Sequence, residues 1–165
     1  MTVSSPSAAA PRRIDRYLRA YGADHQNPTN QMIHWVAVPV IFWCVVAFLT
    51  AIPFPHALKI VPGLDWAVLG AILTFIFYLR LSWPLAVAMG VFMAACIAIA
   101  HWVAAASSTP LWLIAAVLFA AAWVLQFIGH KIEGRRPSFF NDVRFLLIGP
   151  AWLMSFVFRA LGLRY

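Results

Sequence analysis

The sequence predicts an all-α protein: a polytopic bundle of about four transmembrane helices, with an N-terminal interfacial helix and a C-terminal re-entrant or interfacial segment. Hydrophobic residues make up 64% of the 165 residues and charged residues 10%, whereas soluble domains are about 45–50% apolar and about 25% charged. Four apolar runs, separated by breaks that contain Pro, Gly or Ser, each approach the length of about 20 residues that crosses a bilayer.

The elements follow in order along the chain. Residues 1–11, rich in Ser, Ala and Pro, predict a disordered tail, and residues 12–165 predict a single transmembrane domain. Ile14, Tyr17, Leu18 and Tyr21 share one helical face with arginines mostly opposite, a pattern typical of a helix on the membrane surface. The predicted spans are Met32–Ile52, Leu64–Leu81, Pro84–Ala105 and Leu111–Gly129.

The C-terminal segment Phe145–Leu163 is nearly long enough to cross the membrane. Gly149-Pro150 interrupts its apolar run, and proline inside a helix removes a backbone hydrogen bond. We therefore expect a re-entrant or interfacial helix pair here rather than a fifth span.

Positive charge predicts the orientation of the chain. With four crossings, the basic residues before the first span, at the second turn and after the fourth span share one side, and the other side keeps only Lys59. The positive-inside rule places this side, and both termini, in the cytoplasm. The net charge of +7 therefore indicates topology rather than nucleic-acid binding. The Ala- and Arg-rich composition favours a bacterial inner membrane, or the endoplasmic reticulum membrane if the chain is eukaryotic.

Three histidines are expected to meet near the cytoplasmic surface. His25 and His34 flank the start of the first span and His130 closes the fourth, so four crossings place all three at one level. Three neutral imidazoles can hold a transition metal with coordination positions left open. We therefore predict that these three residues are metal ligands and form the catalytic centre. His56 and His101 fall on the opposite side and are not expected to bind the metal.

Four further residues are candidates beside this cluster. Asn30, one turn before the second histidine, is expected to orient that ring, and Glu133, three residues after the third, is either a further ligand or an acceptor behind the ligands. Arg135 and Arg136 add positive charge at the same depth. They are predicted to bind an anionic head such as a carboxylate, or simply to follow the positive-inside rule.

Two motifs carry a resemblance to a known family. The first is Tyr21, His25, Asn30 and His34 in the spacing Tyr-x3-His-x4-Asn-x3-His, and the second begins at Gln126 and reads Gln-Phe-Ile-Gly-His, followed by Glu133-Gly-Arg-Arg-Pro. Together they resemble the Mpo1-like family of membrane proteins, and the resemblance covers nearly the whole chain from residue 13 to residue 165.

The resemblance implies an Fe(II)-dependent dioxygenase. Its expected reaction is α-oxidation of a long-chain 2-hydroxy fatty acid with O2, which shortens the acid by one carbon and releases CO2. The family's histidines correspond to His25, His34 and His130. The expected partners are the fatty acid, O2 and membrane lipid, with no nucleic acid.

Other classes of function stay open at this point. A non-catalytic membrane protein, either a haem-binding electron carrier or a scaffold, is the main alternative. A transporter would need charged residues or broken helices near the middle of the membrane, and the span centres contain neither. The residues by themselves do not distinguish iron from zinc or manganese, and they leave the oligomeric state open.

Overall fold

A computed structural model describes residues 10–58, 61–137 and 144–165, and within these ranges the secondary structure is helical, with no strand. The all-α prediction is confirmed. Most of the tail predicted to be disordered lies outside the described residues. The helices are α1 (Arg13–Ala23), α2 (Pro28–Ala51), α3 (Trp66–Leu79), α4 (Trp83–Ala106), α5 (Leu111–Glu133) and α6 (Phe145–Ala160), with a 3-10 turn at His56–Leu58.

Three of the predicted spans are confirmed as long apolar helices. Helices α2, α4 and α5 contain 24, 24 and 23 residues and are apolar enough to cross a membrane. At 1.5 Å per residue each is about 35 Å long, which exceeds the hydrocarbon core of about 30 Å. Helix α2 begins as its sequence indicates, because the Asn27 side chain accepts a hydrogen bond from the Thr29 amide and Pro28 occupies the first helical position.

Helix α3 is shorter than the span predicted for residues 64–81. Its 14 residues extend about 21 Å, yet it connects the two ends of the bundle. At its start the Trp66 indole donates to the Pro53 carbonyl (3.2 Å), just beyond the end of α2. Near its end the Tyr78 hydroxyl donates to the Leu147 carbonyl in α6 (2.6 Å). The chain therefore returns to its starting end before α4 begins, which makes α2 and α5 antiparallel.

The two remaining helices pack together at that starting end. Helix α1 buries Ile14, Leu18 and Tyr21 against α6, so the amphipathic helix is confirmed. Helix α6 continues through Gly149-Pro150 as one 16-residue helix, so the predicted helix pair is wrong. Proline costs this helix one backbone hydrogen bond, and burial of the segment from Ile148 to Leu153 offsets that loss.

The outer faces of the long helices are apolar. Large exposed hydrophobic side chains occur on every one of them, and water-soluble monomers rarely present such extensive apolar surface. These faces therefore suit contact with lipid. Examples along these helices are Met32, Val91, Trp102, Val117 and Val124.

The orientation of the bundle can be tested by cysteine labelling. In a Cys44→Ala/Cys96→Ala background, single cysteines replace Ala10, Ser108 or Leu163, all of which are exposed. A membrane-impermeant maleimide should label position 108 in intact cells and should label positions 10 and 163 only after the membrane is permeabilised. Labelling of position 10 or 163 in intact cells would contradict the positive-inside assignment.

Candidate metal centre

Three separate elements bring His25, His34 and His130 together. His25 lies in the short link between α1 and α2, His34 lies two turns into α2, and His130 lies in the last turn of α5. Their ring centroids are 4.3 to 5.0 Å apart, and one nitrogen of each ring lies within 4.8 Å of the others. All three are at least 96% buried. The expectation that they meet is confirmed, and their arrangement could hold a metal ion.

The hydrogen bonds of two of these rings determine where their lone pairs point. The Nδ1 atom of His25 is 2.6 Å from the Tyr21 carbonyl oxygen, and the Nδ1 atom of His34 is 2.8 Å from the Asn30 carbonyl oxygen. A carbonyl oxygen can only accept, so each Nδ1 carries the ring's proton, and each neutral ring leaves an unshared pair on Nε2. These two Nε2 atoms lie 2.9 Å apart. Two lone pairs at that distance repel unless a cation lies between them.

The ring of His130 likewise has a nitrogen without a hydrogen bond in the described structure. The Nδ1 atom of His130 is buried and has no hydrogen-bond partner among the described residues. Buried polar atoms are ordinarily paired, and the exceptions often mark a missing ion or water. Imidazole nitrogens are common ligands of zinc, iron and other transition metals. The donor set therefore fits such an ion.

Burial keeps His25 neutral. Removal from water lowers the pKa of His25 below its ordinary value of 6.5, although the Tyr21 carbonyl favours the charged ring. The Tyr21 ring stacks on the His25 ring with centroids 4.1 Å apart, and burial likewise raises the pKa of the Tyr21 phenol. A neutral imidazole is the form that binds metal, so the site is ready for a ligand at neutral pH.

Glu133 connects the end of α5 to the start of α2. Its carboxylate accepts hydrogen bonds from the Gln26 and Asn27 amides (both 2.8 Å) and from the Asn30 side chain (3.0 Å). A carboxylate at a helix N-terminus is favoured by the helix dipole. Asn30 was expected to orient His34; the contact uses its backbone carbonyl, while its side chain binds Glu133.

Gly129 allows the two helices to approach each other. A Cβ atom at this position would lie 2.4 Å from the side-chain oxygen of Asn30, which is far inside van der Waals contact. Only glycine fits here while Asn30 keeps its bond to Glu133. The sequence motif contains this glycine, but the reason for it is visible only in the packing of α5 against α2.

The arginines around the cluster differ in position. Arg135 forms an exposed ion pair with Asp24 (3.0 Å), and Arg136 is also exposed. Neither lines the cavity described below, so their role in binding an anionic head stays a prediction. Arg144 does line that cavity and donates to the Tyr17 hydroxyl (2.9 Å). In the sequence, Arg144 is one of the basic residues after the fourth span that indicate topology, and nothing local to it indicates a cavity.

An apolar cavity of about 420 Å³ begins at the histidines. It lies within the range of about 300–1,000 Å³ that is usual for ligand pockets. It runs along α2 from His34 to Leu49, which is about 22 Å at 1.5 Å per residue. Its polar lining is concentrated at the end near the cluster. Lining residues there include Tyr21, His34, Gln126 and His130, and toward the other end Val45, Leu49, Ala67 and Gly70.

The remaining histidines lie away from the cluster. His101, in the last two turns of α4, pairs with Asp65 at 3.0 Å, just before the start of α3. His56 lies in the 3-10 turn after α2. Both are therefore at the opposite end of the bundle, as expected.

Comparisons with known proteins converge on one family. Residues 12–161 match the family model described as "2-hydroxy-palmitic acid dioxygenase Mpo1-like". The chain is 30% identical over 140 residues to the 2-hydroxy-palmitic acid dioxygenase MPO1 of Saccharomyces cerevisiae, which covers 82% of this chain and 74% of the yeast protein. No solved structure matches the chain significantly.

The contact between α2 and α5 can be tested with Gly129→Ala. The added methyl group must displace Asn30 and weaken its bond to Glu133, so we expect the free energy of unfolding to fall by about 1–3 kcal/mol. That loss corresponds to a Tm lower by roughly 3–10 °C. Gly70→Ala is the matched control, because its Cβ meets only the terminal methyl of Leu49 at 3.1 Å. Equal Tm values for the two variants would contradict the argument.

Proposed function

The chain belongs to the Mpo1-like family, and we propose that it is a membrane-embedded Fe(II)-dependent dioxygenase that carries out α-oxidation of long-chain 2-hydroxy fatty acids. In this reaction the bond between C1 and C2 breaks, C1 leaves as CO2, and C2 is oxidised to the carboxyl carbon of the shortened acid. One 2-hydroxy acid and one O2 give one shorter acid, one CO2 and one water. O2 is the oxidant.

The observation that carries the proposal is the pair of facing Nε2 atoms of His25 and His34, 2.9 Å apart. Their Nδ1 protons are committed to backbone carbonyls, so both lone pairs point to one place, and His130 supplies the third nitrogen. A bound Fe(II) ion would supply open coordination positions for O2 and for the hydroxyl and carboxylate oxygens of the substrate. The role of the protein is to hold the three rings neutral, buried and correctly turned.

The cavity supports a long acyl chain as the rest of the substrate. It is mostly apolar and begins beside His34 and His130, so an acid with its head at the histidines would have its chain along α2. The cavity follows α2 for about 22 Å, longer than one leaflet, which occupies about half of the 30 Å hydrocarbon core. Only carbons near the carboxyl end would then reach the histidines, which accounts for attack at C1 and C2.

The position of the cluster among membrane helices also serves the chemistry. Long-chain acids partition into lipid, so a cavity between α2, α3, α5 and α6 receives them without exposure to water. The buried histidines are likewise kept from bulk solvent. Exclusion of water prevents side reactions of reactive species formed during oxidation.

The haem-binding alternative fits this geometry poorly. Two axial histidines would need the porphyrin between their rings. The Nε2 atoms of His25 and His34 are 2.9 Å apart, and the third ring is in contact with both. His101, another candidate, pairs with Asp65.

Metal binding by the three histidines can be tested by replacing each of them with asparagine. We expect each single variant at His25, His34 or His130 to lose at least tenfold in Fe(II) affinity, because even partners behind metal ligands account for 10–100-fold. Conversion of 2-hydroxy-palmitic acid to the C15 acid should be abolished. Metal content is measured on anaerobically purified protein, and turnover by mass spectrometry of the product.

The matched control is His101→Asn, which removes an imidazole at the opposite end of the bundle. It should retain both iron and turnover. Wild-type protein that binds no metal after anaerobic loading with Fe(II), or cluster variants that keep full iron content, would overturn the proposed centre.

The binding of the substrate carboxylate can be assigned by comparing arginine variants. A charge-assisted pair contributes about 1.5–3 kcal/mol, so loss of the carboxylate partner should raise KM about tenfold to a hundredfold with the metal retained. We predict this result for Arg135→Gln/Arg136→Gln and compare it with Arg144→Gln, which alters the cation lining the cavity. A rise in KM only for Arg144→Gln would move the carboxylate into the cavity and leave Arg135 and Arg136 with a topological role.

A further inference from the structure

Gln126 lies in the cavity wall beside the metal centre. It is on α5, one turn before His130, so the two side chains share a helical face. It lines the cavity together with His34 and His130 and is 93% buried. Most of the lining around it is apolar, which makes an uncharged amide at this depth unusual.

The amide oxygen of Gln126 is not hydrogen-bonded within the described part of the fold. Its Oε1 atom is buried and has no hydrogen-bond partner among the described residues. Buried amides are ordinarily paired, since an unpaired one loses its water without compensation. Gln126 therefore leaves an unpaired acceptor in the wall of the cavity, which a ligand can satisfy once the side-chain amide turns toward it.

Given the proposed function, we infer that Gln126 is the specificity residue that recognises the 2-hydroxyl group of the substrate. A hydroxyl whose oxygen faces the metal still has a proton to donate to Oε1, whereas an ionised carboxylate and a CH2 group have none. With the carboxyl end at the histidines, C2 is the first carbon along the chain and passes the turn of α5 that carries Gln126. An unsubstituted fatty acid would fill the same cavity but leave this oxygen unpaired, and unpaired polar groups in a site are the basis for rejecting such analogues.

The inference predicts a change in selectivity rather than a loss of the metal. Binding of radiolabelled 2-hydroxy-palmitic acid and of palmitic acid is measured on the anaerobic, Fe(II)-loaded protein in lipid nanodiscs. The wild type should bind the hydroxy acid more tightly. The Kd ratio is the Kd of palmitic acid divided by the Kd of 2-hydroxy-palmitic acid. In Gln126→Leu this ratio should fall by about two- to tenfold, the range for one neutral hydrogen bond, because the hydroxy acid binds more weakly.

The matched control is Thr50→Val, which removes another buried side-chain oxygen, here a hydroxyl, that has no partner among the described residues. Thr50 lies on α2 outside the cavity lining, so the Kd ratio should stay at the wild-type value. Gln126→Met, which keeps the length of the side chain, repeats the test if the leucine variant does not fold. Iron content and Tm are measured on every variant.

Two results would overturn this inference: equal affinity of the wild type for both acids, or an unchanged Kd ratio in folded, iron-loaded Gln126 variants. Both can be separated from a failure of the proposed function. If the proposed function were wrong, the wild type itself would lack bound iron or would form no C15 product. Neither of these results depends on the ratio of the two Kd values.

Discussion

The hydrogen bonds that the Glu133 carboxylate accepts from Gln26, Asn27 and Asn30 set the register of α5 against α2. Each of the other features near the site depends on that register. It places His130 at the level of the α1–α2 link and the first turns of α2. It also requires glycine at position 129, because any side chain there would meet Asn30. A carboxylate whose described hydrogen bonds all go to Gln26, Asn27 and Asn30 thus determines whether three histidines can share one ion.

Backbone carbonyls, rather than side chains, orient the two imidazoles on the α2 side of the cluster. The Tyr21 and Asn30 carbonyls lie four residues before His25 and His34 respectively, so each ring binds the preceding helical turn. This arrangement needs no further buried polar side chain. It also ensures that the nitrogens left for a ligand face each other, which would be unfavourable without a cation. The local helix geometry therefore turns two free nitrogens toward one point, an arrangement that could hold a metal ion.

The apolar character of the chain serves two purposes. The outer faces of the long helices suit lipid, while the space between α2, α3, α5 and α6 forms the cavity. Helices α1 and α6 approach closely where α6 carries a glycine, because a Cβ on Gly149 would lie 2.9 Å from the Tyr21 hydroxyl. That contact lets α6 cover the aromatic ring that stacks on His25. The continuity of α6 through Pro150 follows from the same packing, which compensates the missing backbone bond.

The sequence by itself determined the features that depend on local periodicity and charge: the helical class, three long apolar helices and the amphipathic α1. It also determined that His25, His34 and His130 meet, because helices that cross a membrane must alternate in direction. Only the tertiary structure decided the rest. The single helix at Gly149-Pro150, the hydrogen bonds of Glu133 and the cavity beside Gln126 all depend on which helices are neighbours. The Glu133 hydrogen bonds join residues as many as 107 positions apart, and no local pattern in the sequence records them.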